Sequence, residues 1–304
     1  MEFFAIFFQV CYTLGMDIWI SQFFEAIRTP FLDVIACIFS LFGEALFLVL
    51  LICVLYWLAD KSWGERAVVT AFSAMAFCNF FKGIFQRTRP YAAGVVTRVE
   101  VDNPFLSTMN LNSSLSFPSG HSTMGGGLFF ATALRFEKRK WLWVLCPFLT
   151  LGVMASRLYL GVHYFTDVLA GASLGILVAV IWDMVYRYCP KKKHFVLVGF
   201  ALLSIVFCIL EPSKSAIEQC GMLCAAAIAL PVEEKFVNFQ NAKGTKNRLF
   251  RALVGLACVG LIFGLFSYLP FAFLELLGWK FVKYFLTVLV GALLVPYLFK
   301  RLKI

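Results

Sequence analysis

Charge is what this 304-residue chain has least of: Asp, Glu, Lys and Arg together make up 14%, against 61% hydrophobic residues and a mean hydropathy of +0.85. A soluble globular chain carries roughly 25% charged residues, so the shortage excludes a water-solvated globule and points to lipid as the solvent. Gly/Ser linkers, low-complexity tracts and internal repeats are missing too, which favours one membrane-embedded unit over a string of modules. The ten cysteines offer neither a disulfide framework nor a metal site, because most of them (Cys37, Cys53, Cys78, Cys146, Cys208, Cys258) lie inside apolar runs and read as small buried hydrophobes. Cys220 and Cys224 share a helical face and read as packing. Met1-Glu2-Phe3-Phe4 puts no positive flank before its apolar stretch, so a cleaved signal peptide is not expected.

What is there is a succession of apolar runs. They predict spanning helices at 30–58, 66–86, 119–135, 141–158, 163–187, 195–210, 215–231, 250–270 and 277–299, after an interfacial segment over residues 1–29. The first run is long for one span and holds Gly43 and Glu44, where two segments can meet. The net charge of +10 does not read as nucleic-acid binding, because the cations cluster between apolar runs. Alternating the helices gathers Lys61 and Arg66, the 135–140 cluster, the 187–193 cluster, five cations between Lys235 and Arg251, and Lys300, Arg301 and Lys303 on one side. That is 18 of the 27 Lys and Arg, so by the positive-inside rule this side is cytoplasmic and the other faces outward.

Three polar segments interrupt the apolar pattern, and all fall on that outer side. They are Lys82-Gly83-Ile84-Phe85-Gln86-Arg87-Thr88-Arg89-Pro90, Pro118-Ser119-Gly120-His121, and Ser156-Arg157 through His163 to Asp167. Lys82, Arg89 and Arg157 are permanent cations at membrane depth, where unpaired charge is costly, and few acids nearby can neutralise them. A phosphate suits two guanidinium forks and an ammonium. Ser119 and Gly120 open a helix, adding backbone N–H groups and the positive helix end. His163 and Asp167 stand four apart, on one helical face, so the carboxylate can orient the ring and leave its other nitrogen to attack phosphorus. His121 is then available as general acid. Arg87, by contrast, reads as a snorkelling anchor at a helix end.

The three segments resemble the signature motifs of the type-2 phosphatidic acid phosphatase (PAP2) family: Lys-x6-Arg-Pro, Pro-Ser-Gly-His and Ser-Arg-x5-His-x3-Asp, with every defining position met. The resemblance implies an all-α, polytopic transmembrane helical bundle with a PAP2/haloperoxidase-like catalytic core over residues 30–190. It implies His163 as nucleophile forming a phosphohistidine, Asp167 as its orienting partner, and His121 as acid and then base. Lys82, Arg89, Ser119, Gly120 and Arg157 are implied as the phosphate cradle. It implies no metal and no other cofactor, in keeping with the lack of a carboxylate cluster suited to Mg²⁺.

Residues 191–304 match nothing in that core and read as additional transmembrane helices of unknown role, a C-terminal transmembrane extension. Gly260 and Gly264 on one of them favour close helix contact, read as packing within the chain. The connection 91–117 is long enough for a cap or specificity element, and its Asn112-Ser113-Ser114 carries no weight as a glycosylation signal. The partners expected are the membrane and a lipid phosphate, with no nucleic acid, and the setting expected is a bacterial plasma membrane with the site facing outward. Two other readings use the same cations: transfer of the phosphoryl group to another acceptor, and transport of a phospholipid without turnover. The paired histidines disfavour the second.

Overall fold

The computed structural model describes residues 15–99, 115–268 and 277–304. Helices dominate these residues, and the extended backbone among them includes one isolated antiparallel bridge, Thr88 to Leu115. Helix α1 is Gly15–Ala26, α2 Pro30–Leu41, α3 Ala45–Val54, α4 Lys61–Phe85, α5 Gly120–Arg135 and α6 Leu142–Tyr159. They are followed by α7 Phe165–Tyr188, α8 Lys193–Leu210, α9 Lys214–Val232, α10 Thr245–Tyr268, α11 Leu277–Leu289 and α12 Val295–Leu302. Short π-helical turns, Leu55–Ala59, Glu233–Val237 and Val290–Leu294, follow α3, α9 and α11.

Seven helical stretches among the described residues are long and apolar enough to cross a membrane: Lys61–Phe85, Leu142–Tyr159, Phe165–Tyr188, Pro190–Leu210, Lys214–Val237, Thr245–Ser267 and Gly278–Leu302. The chain is an integral membrane protein. Two expected spans come out differently. The run 30–58 divides into α2 and α3 at a turn over Phe42, Gly43 and Glu44, since a polar carboxylate sits at its middle. The run 119–135 forms α5, which at 16 residues is shorter than the ~20 a bilayer requires. Its Gly125-Gly126-Gly127 lowers its hydropathy, and a helix buried from Ser122 to Phe129 need not be oily for lipid. Of the interfacial segment expected over 1–29, residues 1–14 lie outside the described residues, as do 100–114 of the long connection, including Asn112.

The chain packs as two compact units. One comprises Met1–Leu48 and Cys78–Val180, the other Val49–Phe77 and Ile181–Ile304. In the first unit α6 packs against α1, α2 and α5. Capping side chains fix the helix starts. Thr29 accepts from the Leu32 N–H at 3.3 Å ahead of Pro30, and Ser119 accepts from the Ser122 N–H at 3.4 Å. α5 and α7 approach through small residues: a Cβ on Gly171 would lie 2.4 Å from the Ser119 carbonyl oxygen, and one on Gly175 2.1 Å from that of Thr123. Backbones so close bring the start of α5, with its Ser119 and His121, beside the start of α7, with its Asp167.

In the second unit α9 packs on α8 and α11, and α10 on α11. The fully buried Trp57 donates its Nε1–H to the Gly291 carbonyl at 3.0 Å, tying the first π-turn to the last. Ion pairs Arg66–Asp183 (2.7 Å), Lys193–Glu65 (3.3 Å) and Lys61–Glu233 (2.6 Å) join residues that the charge count assigns to one membrane side. Gly260 and Gly264 do not serve the packing expected of them: no atom among the described residues lies within 4 Å of a Cβ built on either.

Candidate active site

All eight sequence-selected residues belong to the first unit. Lys82 sits at the end of α4, its Nζ donating to the Leu115 and Ser116 carbonyls at 3.4 and 3.3 Å. Among the described residues no carboxylate lies within salt-bridge reach of that ammonium. The Thr88–Leu115 bridge and the Ser116 N–H to the Arg87 carbonyl (2.6 Å) clamp the end of the first motif to the lead-in of the second.

Arg89 is buried beyond α4, where burial pushes its pKa down to about 10. Its Nη1 donates to the Val162 carbonyl at 2.9 Å and lies 3.2 Å from His163 Nε2. A guanidinium can only donate, so Nε2 must present its lone pair, and the ring proton belongs on Nδ1. Nδ1 in turn faces Asp167 Oδ2 at 3.5 Å and the Ser116 hydroxyl at 3.4 Å. These contacts favour a neutral tautomer whose Nε2 is basic. His163 lies in the turn between α6 and α7, outside either helix, and is 2% exposed. Burial, reinforced by Arg89, Lys82 and Arg157, holds its pKa well below the ordinary imidazole range.

Asp167 is fully buried and fully engaged. Oδ2 accepts from the Ser116 hydroxyl and from the Tyr164 N–H at 2.8 Å, while Oδ1 accepts from Arg87 Nη1 at 2.8 Å. Arg157, fully buried near the end of α6, donates from Nη1 to Ser40 Oγ at 2.6 Å, whereas its Nε and Nη2 have no hydrogen-bond partner among the described residues. Buried donors are normally satisfied, so two orphaned N–H directions on a cation point to an anionic ligand. Ser119 caps α5, but its own N–H donates to the Asp167 carbonyl at 3.0 Å, so what it can offer an anion is the hydroxyl. Gly120 is the first residue of α5, and His121, the second, faces Glu44 with Nε2 to Oε2 at 3.2 Å.

Arg87 is not the snorkelling anchor expected. It is 7% exposed, and besides Asp167 it binds Asp17 Oδ2 through Nη2 at 2.8 Å and stacks 4.0 Å from the Tyr164 ring centre. Asp17, fully buried in α1, also accepts from the Thr166 N–H at 3.0 Å. Sequence reasoning missed Asp17, Ser40, Glu44, Arg87 and Ser116. The signal available was polarity where the surrounding residues are apolar, which Asp17 and Glu44 display. Among the described residues no group of three or more His, Cys, Asp or Glu is placed to hold a metal ion.

The arrangement can bind a phosphoryl group among cations and attack it from one imidazole. A family model described as the PAP2 superfamily matches residues 63–192, and a second, PAP2 superfamily phosphatase, transmembrane extension, matches residues 217–304. The chain belongs to the PAP2 superfamily. As a PAP2 phosphatase with the transmembrane extension, it resembles several curated proteins. Phosphatidylglycerophosphatase B of Bacillus subtilis is 29% identical over 58% of this chain and 84% of its own. The bacitracin transport permease protein BcrC of Bacillus licheniformis is 37% identical over 29% and 43%. The lipid A 4'-phosphatase of Porphyromonas gingivalis is 27% identical over 46% and 64%. The last two matches thus span less than two thirds of the relatives' own length. No solved structure matches the chain. Neither PAP2 model reaches upstream of residue 63, so Asp17, Ser40 and Glu44 lie outside the matched part.

Proposed function

We propose that this membrane phosphatase hydrolyses a lipid phosphate or pyrophosphate monoester on the outer face of a bacterial plasma membrane, through a phosphohistidine and without a metal. The observation that carries the reading is the Nε2 lone pair of His163, held among Lys82, Arg89 and the half-partnered Arg157. The lipid as substrate class draws on the relatives, phosphatases of phosphatidylglycerophosphate and of lipid A by name. The outward site draws on the 18 of 27 cations gathered on the opposite side.

In this mechanism Arg89 gives up its contact with Nε2 and turns its N–H groups to the phosphate oxygens, joined by Arg157 and Lys82. The Nε2 lone pair forms the P–N bond as the P–O bond to the lipid breaks, and the leaving oxygen takes its proton from His121. Asp167 bears against the Nδ1–H side, supporting the positive charge that grows on the ring. Water then loses a proton to His121 while its oxygen forms the new P–O bond, and the P–N electrons return to Nε2. Three cations stabilise the equatorial oxygens, the part that Mg²⁺ plays in many other phosphoryl transfers.

A phosphohistidine is labile in acid and survives alkali. Rapid alkaline quenching with a ³²P-labelled lipid phosphate should leave label on the wild-type protein and none on His163→Ala. Excess EDTA should leave the rate unchanged, and orthovanadate, which adopts the five-coordinate geometry, should inhibit strongly. Absence of trapped label, or loss of activity with EDTA that Mg²⁺ restores, would overturn the mechanism.

A further inference from the structure

A carboxylate in the middle of an apolar run is costly unless something pairs with it. Glu44 is such a residue, and the turn that breaks α2 from α3 is built around it. The Phe42, Gly43 and Glu44 N–H groups close back on Phe39, Ser40 and Leu41 at 3.2, 3.0 and 3.0 Å, and the Glu44 carbonyl accepts from Leu48 at 3.0 Å to start α3. The turn is pressed against the start of α5: a Cβ on Gly43 would lie 2.9 Å from the His121 Cβ and 2.8 Å from Val153 Cγ1. Only glycine permits that approach. It leaves Glu44 8% exposed with Oε2 3.2 Å from His121 Nε2, and four residues earlier, at the end of α2, Ser40 holds Arg157.

We propose that Glu44 is the positioning residue for His121, the counterpart of what Asp167 is to His163. This rests on the reading of His121 as acid and base. The carboxylate accepts the Nε2–H, which fixes the ring and commits Nδ1 to the substrate side. It also favours the imidazolium from which the leaving oxygen takes its proton. In the step, the Nδ1–H bond breaks as the lipid oxygen gains the proton, and the Nε2–H stays with Glu44. In the reverse sense Nδ1 takes a proton from water as the phosphohistidine hydrolyses. This segment thus acts as a fourth element of the site, supplied from outside the three motifs.

The test compares Glu44→Ala, Glu44→Gln, His121→Ala and the double variant Glu44→Ala/His121→Ala on two substrates, an alkyl lipid phosphate and p-nitrophenyl phosphate, in detergent. His121→Ala should lower kcat on the alkyl phosphate by roughly 10²–10⁴-fold and hurt p-nitrophenyl phosphate far less, because nitrophenolate leaves without a proton. Glu44→Ala should reproduce that selectivity at about 10–100-fold, the scale seen when partners that orient a histidine are lost. The double variant should be no worse than His121→Ala alone, since residues acting as a unit are not additive. Glu44→Gln keeps the acceptor oxygen and the volume, so it should recover part of the loss and shows that the fold tolerates a neutral side chain there. Equal losses on both substrates, or additive losses in the double variant, would make Glu44 merely structural and overturn the proposal. If His121→Ala itself lacks the leaving-group selectivity, the underlying assignment of His121 fails instead.

Discussion

Replacing Arg87 separates two physical pictures of one residue. As a membrane-edge anchor it would contribute only a snorkelled charge, and Arg87→Lys would be silent. In the structure its side chain is 8% exposed and its guanidinium bridges two fully buried carboxylates, Nη1 to Asp167 and Nη2 to Asp17, each at 2.8 Å. Removing one member of a buried ion pair costs about 3–5 kcal/mol, because the partner is left charged and desolvated. Asp167 keeps Ser116 and the Tyr164 N–H, and Asp17 keeps Thr166, so Arg87→Ala should fall toward the lower end of that range. An ammonium is a point charge that cannot fork to both carboxylates, so Arg87→Lys should recover about half of the loss at most. Unfolding of purified protein titrated from mild detergent into SDS reads the stability. On the proposed mechanism turnover should fall too, because an untethered Asp167 would no longer orient His163. If both variants unfold within about 0.5 kcal/mol of wild type, the size expected of an ordinary surface change, the bridge has no energetic weight and the argument is wrong.

Topology is tested by single cysteines at Arg98 and Lys192 in a background without reactive thiols: an impermeant reagent should label the first in intact cells and the second only after permeabilisation, and the reverse pattern moves the site to the cytoplasm. The pH response of stability follows from His163. Its folded-state pKa is depressed, so the native state stays neutral while the unfolded chain gains a proton below about 6.5. Wild type should therefore hold full stability above that pH and lose up to about 1.4 kcal/mol per pH unit below it, relative to His163→Gln. Apparent melting temperatures of the two proteins between pH 7.5 and 5, in phosphate-free buffer, check this, and a constant gap would refute it.

The helical class and the three polar segments were legible because apolar runs and charged interruptions are one-dimensional signals. The motif residues lie in one unit: His163 beside Asp167, Arg89 against His163, Ser119 at the cap of α5. What could not be read was partnership between distant stretches. Arg87 is two residues past the end of α4 and looks like an anchor until Asp17, seventy positions upstream, is folded against it. Ser116 and Ser40 carry no signal as single serines, and each becomes informative only through what it touches. At 119–135 the expected span proves to be a short, glycine-rich helix that is buried.

Helix α4 also sets a depth. From Lys61 to Lys82 it advances 21 residues, which at 1.5 Å each is about 32 Å, close to the ~30 Å thickness of a bilayer's hydrocarbon layer. Lys61 is held at one end by its ion pair with Glu233, so when that end sits at one interface, the Lys82 ammonium arrives at the opposite one. On the proposed reading of Lys82 as part of the phosphate cradle, hydrophobic matching would make the helix a ruler, favouring a phosphate carried within a few ångströms of the acyl boundary. A phosphate raised on a long polar headgroup would ride above the ammonium, and a thicker bilayer would draw Lys82 down into oil or tilt the helix to follow. If that cradle is right, membrane thickness would act as a substrate filter written into a single helix.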